Sequence, residues 1–312
     1  MKKIGRIYLS VWVCWAILTV TVQVMAVAGN GPATGVPVLN VGYPKYAFSD
    51  VDIKDAQAAL EVWTRHLVRS FPVETKVIIY PDEVSLFRAL QANEVHLVAL
   101  STTAYLKIKD THGVEPLFVP AYKGRVGEEF CLLVHRQSGI TAAQQLRKRT
   151  LLYFPRCSPD SPQNLWLDDF LKSQGLPGLD QFFQRFTVTE SSSKAILPVF
   201  FRQAEACYIP RQFFETMAEM NPQVANELKI LVQSPPILRG LLVIRRDVEA
   251  KLKEEVRRTV MEMENNAQGK QILTLLRYDR LLPFQPGHLS STLDCLPRLK
   301  TSVANRQNPK NF

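Results

Sequence analysis

Val95-His96-Leu97-Val98-Ala99-Leu100-Ser101-Thr102-Thr103-Ala104-Tyr105 joins a short apolar run to three consecutive hydroxyl residues. The run reads as a strand, and the hydroxyls open a helix directly after it. Ligands of open α/β sheets collect at the carboxyl ends of strands, and the free N–H groups of a helix start favour an anion. Ser and Thr also serve as ordinary helix caps. On local grounds the turn is either a binding loop or a cap.

Working outward, the chain reads strand, helix, strand, helix in quick succession, the signature of a parallel sheet with crossover helices. On the N-terminal side, Val38 to Gly42 is a strand ended by Tyr43-Pro44-Lys45-Tyr46. Ala56, Leu60, Trp63 and Leu67 form one stripe of an amphipathic helix, with Asp50 and Asp52 at its start. Val77 to Tyr80 is a strand and Val84 to Gln91 a helix. On the C-terminal side, Leu117 to Pro120 leads through the polar link Lys123 to Glu129 into Phe130 to Arg136, where the chain crosses to a second lobe. There the strands Thr150 to Phe154, Phe186 to Thr189 and Ala206 to Ile209 alternate with helices Asn164 to Gln174, Lys194 to Gln203 and Phe213 to Met220. Leu228 to Gln233 and Gly240 to Arg246 read as return strands, and Lys251 to Asn265 and Gln271 to Leu275 as terminal helices.

The 312 residues are 46% hydrophobic and 21% charged, a globular composition. Residues 1–28 read as a secretory leader: Lys2, Lys3 and Arg6, then an uncharged apolar run, then Ala26-Val27-Ala28. The alternative is a retained membrane anchor, since the run is about 20 residues long. Without the leader's three cations, 35 Lys and Arg face 29 Asp and Glu, a net charge of +6. That mild excess suits a small anion, and without basic blocks interleaved with aromatics it gives nucleic acid no support. Cys131, Cys157, Cys207 and Cys295 remain, with Cys157 and Cys207 on neighbouring strands, either bridged or buried as thiols. Residues 300–312 read as a disordered tail.

His66, His96, His112, His135 and His288 are scattered and no CxxC occurs, so no metal site is expected. P-loop, GxGxxG and GxSxG motifs are absent, and no nucleophile stands out, so neither an enzyme nor a cofactor is expected. One further feature points to binding. Cys157-Ser158-Pro159-Asp160-Ser161-Pro162-Gln163 is a second hydroxyl-rich strand-to-helix turn, and in a two-lobed molecule it faces Ser101 to Thr103 across a cleft.

From Val38 to Phe284 the chain resembles the phosphate, phosphite and phosphonate binding proteins of ABC importers, a branch of the type II periplasmic binding proteins. The resemblance is carried by Val98 to Tyr105, by Leu167 to Leu176, by Ser234 to Ile237 with Leu242 to Asp247, and by Gly269 to Leu273 with Tyr278 to Pro283. It implies ligand contacts from Tyr43 or Tyr46, Tyr80, and Ser101, Thr102, Thr103 and Tyr105 in the first lobe. In the second lobe it implies Ser158, Asp160, Ser161 and Gln163, with Ser193 and Glu205 in places where the family carries other polar residues. Asp160-Ser161-Pro162-Gln163 departs from the family's Ser-Thr-Ser-Gly loop: proline removes a donor and aspartate would repel an anion.

The expected fold is therefore α/β and two-lobed, the type II periplasmic binding protein fold, each lobe a mostly parallel sheet flanked by helices with a hinge between. Lobe 1 spans 37–124 with part of the C-terminal region, lobe 2 spans 125–239 with the return strand 240–246, and 247–285 supplies the C-terminal helices. The expected protein is a periplasmic, monomeric solute-binding protein that captures a small oxyanion by hinge closure and docks on an ABC permease. Rival readings are a ligand sensor for a membrane receptor or histidine kinase, and a binder of an unrelated solute such as a sulfonate or thiamine precursor.

Overall fold

The computed structural model describes residues 37–48, 51–122, 124–154 and 160–296. The expected leader, Asp50, Cys157, Ser158 and the tail at 300–312 lie outside the described residues. In chain order the elements are β1 (Val38–Pro44), α1 (Ile53–Leu67), β2 (Glu74–Tyr80), α2 (Glu83–Gln91), β3 (Leu97–Ser101), α3 (Thr102–Ile108), β4 (Val114–Tyr122), β5 (Arg125–Val126) and β6 (Phe130–His135). They continue with β7 (Thr150–Tyr153), α4 (Pro162–Ser173), α5 (Leu179–Phe182), β8 (Arg185–Val188), α6 (Ser192–Phe200), β9 (Ala206–Pro210), α7 (Arg211–Met220), α8 (Pro222–Glu227) and β10 (Leu228–Gln233). The last are β11 (Gly240–Arg245), α9 (Ala250–Met261), α10 (Ala267–Leu276), β12 (Arg280–Pro283) and α11 (Pro286–Asp294).

The stripe Ala56, Leu60, Trp63 and Leu67 does face inward on α1, and Asp52 caps the helix by accepting from the Lys54 and Asp55 N–H groups. The large side chains of that stripe pack with Leu39, Val41, Val260 and Ile272 in the first-lobe core, each contributing about 1.5–3 kcal/mol.

One sheet runs in the order β12-β4-β11-β3-β1-β2, with β5 paired to β4; the other runs β10-β6-β9-β7-β8. Their centres, β2-β1-β3 and β8-β7-β9, are parallel as expected, whereas β11, β12 and β6 run antiparallel to their neighbours. Gly240–Arg245 is a correction to the expected domain limits. It lies between β3 and β4 in the first sheet rather than in lobe 2. Leu241 and Val243 enter one core and Leu242 and Ile244 the other, and a strand apolar on both faces needs that central place.

The lobes are joined where the chain crosses at Gly127–Glu129 and returns at Ser234–Arg239. Glu128 and Ile237 exchange both backbone hydrogen bonds at 2.9 Å, and Ser234 Oγ accepts from the Phe130 N–H at 2.8 Å. Gly127 has φ of +90°, and a Cβ there would stand 3.1 Å from the Pro236 and Ile237 backbone, so glycine is required by both conformation and space. The sequence offered no signal for α11. Its Leu289 and Leu293 pack on the first-lobe core, Leu296 just beyond it is buried in the second-lobe core, and Thr292 Oγ1 accepts from the Leu238 N–H at 2.8 Å. The end of the described chain thus straps the hinge from outside.

Candidate functional site

Three strand ends of the first lobe converge on one carboxylate. After β1 the chain turns through Lys45–Phe48, which buries the Tyr43 ring 5.8 Å from Phe48 and aims the Tyr46 hydroxyl at Glu83 Oε1, 2.6 Å away. After β2, Asp82 caps α2 by accepting from the Ser85 N–H, which puts Glu83 in the first turn where the helix dipole favours negative charge. After β3, Ser101 caps α3: its Oγ accepts from the Ala104 N–H at 3.0 Å and donates to Glu83 Oε1 at 2.6 Å. With that proton committed, the Thr103 hydroxyl donates to Ser101 across 3.1 Å. Burial, and then the Glu83 charge, push the Tyr46 phenol far above its ordinary pKa, so it stays a donor.

The second-lobe wall is built from the start of α4 and the start of α7. Gln163 donates from Nε2 to the Tyr153 hydroxyl at 3.3 Å, and its carbonyl accepts from the Tyr208 hydroxyl at 3.0 Å. Its Oε1 is buried with no partner, as is the Oε1 of Gln212. Phe213 meets Phe154 edge-on at 5.2 Å, and the guanidinium of Arg277, which belongs to the first lobe, lies 4.9 Å over the Phe213 ring. At the hinge, Arg239 pairs with Glu128 at 2.8 Å and lies 5.9 Å over Phe130.

Between these walls lies a cavity of about 150 Å³. Tyr43, Tyr46, Glu83 and Ser101 line it from one lobe, Phe154, Ser161, Gln163 and Phe213 from the other, and Glu128 and Arg239 from the hinge. Beyond the polar corner it continues against Phe48, Trp63, Met263 and Leu276.

Of the residues singled out in the sequence, Tyr43, Tyr46, Ser101, Ser161 and Gln163 come together in this wall. Others do not. Thr102 is buried and its hydroxyl donates to the Leu238 carbonyl, and Thr103 is spent on Ser101. Tyr80 and Tyr105 pack on the other face of the first sheet. Ser193 bonds Ser191 at 3.0 Å, and Glu205 faces Arg149 at 3.8 Å, each away from the cavity. Asp160 does not point its charge at the cavity; it forms an ion pair with Lys107 of α3, across the cleft. Cys207 is a free, buried thiol.

Glu83, Gln212, Phe213, Arg239 and Arg277 were not singled out. Each reaches the cavity through tertiary placement, and Arg277 does so in a left-handed conformation, φ +60°, at the end of α10. A basic residue just past a helix is the one local signal that could have flagged it. Among the described residues no group of three or more His, Cys, Asp or Glu side chains is arranged to hold a metal ion. No described helix is long and apolar enough to cross a membrane.

Comparison with known proteins gives a consistent picture. Residues 46–289 match the family model for the periplasmic substrate-binding protein of phosphonate ABC transporters. A search of curated proteins finds no match. Among solved structures, a Xanthomonas citri protein bound to ATP superposes with a TM-score of 0.63 at 14% identity, covering 86% of this chain and 98% of its own. PhnD1 from Prochlorococcus marinus, in complex with methylphosphonate, gives 0.63 at 15% identity over 85% and 99%. A binding protein component of an ABC phosphonate transporter from Pseudomonas aeruginosa gives 0.59 at 16% identity over 87% and 97%. At such identities the likeness establishes the two-lobed fold.

Proposed function

Because this chain belongs to the family of periplasmic substrate-binding proteins of phosphonate ABC transporters, we propose that it captures a small oxyanion between its lobes in the periplasm and delivers it to a membrane permease. The observation that carries the oxyanion is the company the cavity keeps: the guanidinium-bearing Arg239 and Arg277 line the same space as Ser161 and Gln163 at the start of α4. Guanidinium groups and a helix N-terminus are the donors that oxyanions take. Binding favours the closed arrangement only through contacts the open one lacks, and here those contacts come from both lobes at once.

In this reading Ser161 and Gln163 meet the ligand from the second lobe, while Thr102, Thr103, Tyr80 and Tyr105 support the first-lobe wall. No chemistry on the ligand is called for, and the chain acts as a carrier.

The test is a thermal-shift screen of the leaderless chain against phosphate, phosphite, methylphosphonate, alkyl- and arylphosphonates, sulfonates and thiamine precursors. A ligand that binds only the folded state must raise the melting temperature. An oxyanion is expected to do so, and Arg277→Asn, which suits the left-handed backbone, is expected to remove the shift while leaving the ligand-free melting temperature in place. A response confined to thiamine precursors would discard the oxyanion.

A further inference from the structure

The cavity does not stop at the cleft. It continues into the first lobe, between the face of the first sheet and the helices α1, α9 and α10, where Trp63, Leu67, Leu97, Val260, Met263 and Ile272 line it. All of these side chains also belong to the first-lobe core, and none is more than 3% exposed. A surface groove would expose its walls, so this part of the space is a chamber within the core.

Protein interiors pack about as tightly as organic crystals and rarely keep a void larger than a water molecule. Apolar side chains that face an empty space forgo the contacts they would make in a filled one. Water does not repair that loss, because a buried water needs about two to four polar partners and these side chains offer none. Hydrocarbon does suit the chamber. The cavity measures about 150 Å³, a size at which an apolar protein cavity takes up benzene, about six carbons. A cation stands beside it: Leu276 lines the cavity, and Arg277 follows with its guanidinium 4.9 Å over Phe213 of the opposite lobe.

We propose that the solute is an amphiphile, an oxyanion on a hydrocarbon group of about six carbons, with its head at Arg277 and Arg239 and its hydrocarbon inside the first lobe. The assignment rests on oxyanion capture between the lobes. The hydrocarbon contacts belong to one lobe and are made whether the cleft is open or shut, so they add affinity and leave closure to the head.

The experiment is calorimetric titration of the leaderless chain with methyl-, butyl-, hexyl- and decylphosphonate, and with 1-hexanol as a hydrocarbon that lacks the oxyanion. Affinity is expected to rise about fourfold per methylene, the worth of a buried CH₂, up to hexylphosphonate and to level off by decylphosphonate. Ala99 lines the cavity from β3. Ala99→Leu, which fills part of the chamber, is expected to bring hexylphosphonate down to the affinity of methylphosphonate. Equal affinity for those two ligands on the unaltered chain would overturn the chamber and leave oxyanion capture standing, and so would a variant that weakens both equally. A rise that continues to decylphosphonate would place the tail outside the chamber. Binding of hexanol with no oxyanion bound would remove oxyanion capture, and the amphiphile with it, while keeping the chamber as a hydrocarbon site. The chain-length series on the unaltered chain decides even if the variant does not fold.

Discussion

Lys107 on α3 and Asp160 at the start of α4 form an ion pair that spans the cleft from one lobe to the other. Their side chains are 44% and 39% exposed, so water screens the pair and its worth is about 0–1 kcal/mol. Lys107→Ala is therefore expected to weaken ligand affinity by no more than about fivefold. Raising salt to about 1 M, where the screening length falls to about 3 Å, should weaken ligand binding to the unaltered chain by a larger factor than to the variant, because only the unaltered chain has this pair to screen. Titration calorimetry reads both effects. A loss of a hundredfold would mean that Lys107 touches the ligand itself.

Gly240 opens β11 where it lies against β3, and a Cβ there would stand 2.5 Å from the Leu100 carbonyl oxygen. Backbone cannot yield as a flexible side chain does, so β11 must shift away from Ser101, its register partner. Gly240→Ala is expected to cost about 1–3 kcal/mol in unfolding free energy. It should also weaken ligand binding, because Ser101 and Arg239 both move. Denaturant melts with unchanged stability would show that the strand pair has more slack than this contact implies.

Leu296 is fully buried in the second-lobe core although it follows a helix packed on the first. Leu296→Ala should lower stability by about 2–5 kcal/mol, the range for a deleted core leucine. Its mark would be a looser hinge, read by small-angle scattering as a larger radius of gyration without ligand. A variant as stable and as compact as the parent would show that the strap is not engaged in solution.

His96 accepts a hydrogen bond at Nδ1 from the Asn40 N–H at 3.1 Å. Burial, and then the nearby Arg245 charge, hold its pKa below the ordinary imidazole value. The unfolded chain therefore takes up this proton first as pH falls. Stability from His96 is complete above about pH 6.5 and declines as pH drops from there through the lower folded value. Melting temperature is expected to fall between about pH 7.5 and pH 5, and to fall less in His96→Asn, whose amide oxygen accepts the same bond at any pH. Equal slopes in parent and variant would assign the acid sensitivity elsewhere.

Strand β3 and its hydroxyl turn were legible because both signals are local: an apolar run, then a cap. The same holds for Asp52, which caps α1. What escaped was decided by tertiary packing. Gly240–Arg245 reads as apolar on both faces whichever lobe holds it, and it is the pairing with β3 and β4, after the Glu128–Ile237 crossing, that places it in the first. Asp160 looked hostile to an anion because its partner, Lys107, is 53 residues away in sequence. Glu83 reads as an unremarkable first-turn acid until Tyr46 and Ser101, from two other strand ends, close on it.

The doubly bonded pair Glu128 and Ile237 places entry to and exit from the second lobe side by side. Residues 129–236 thus leave and re-enter the first lobe at one point, and of the described chain beyond them the second-lobe core takes only Ile237, Cys295 and Leu296. Exchange of such a segment leaves the strand order of the first sheet as it is, provided the replacement keeps a pocket for Leu296. A single contiguous stretch of gene thus encodes one whole wall of the cavity, Phe154, Ser161, Gln163 and Phe213, and none of the other.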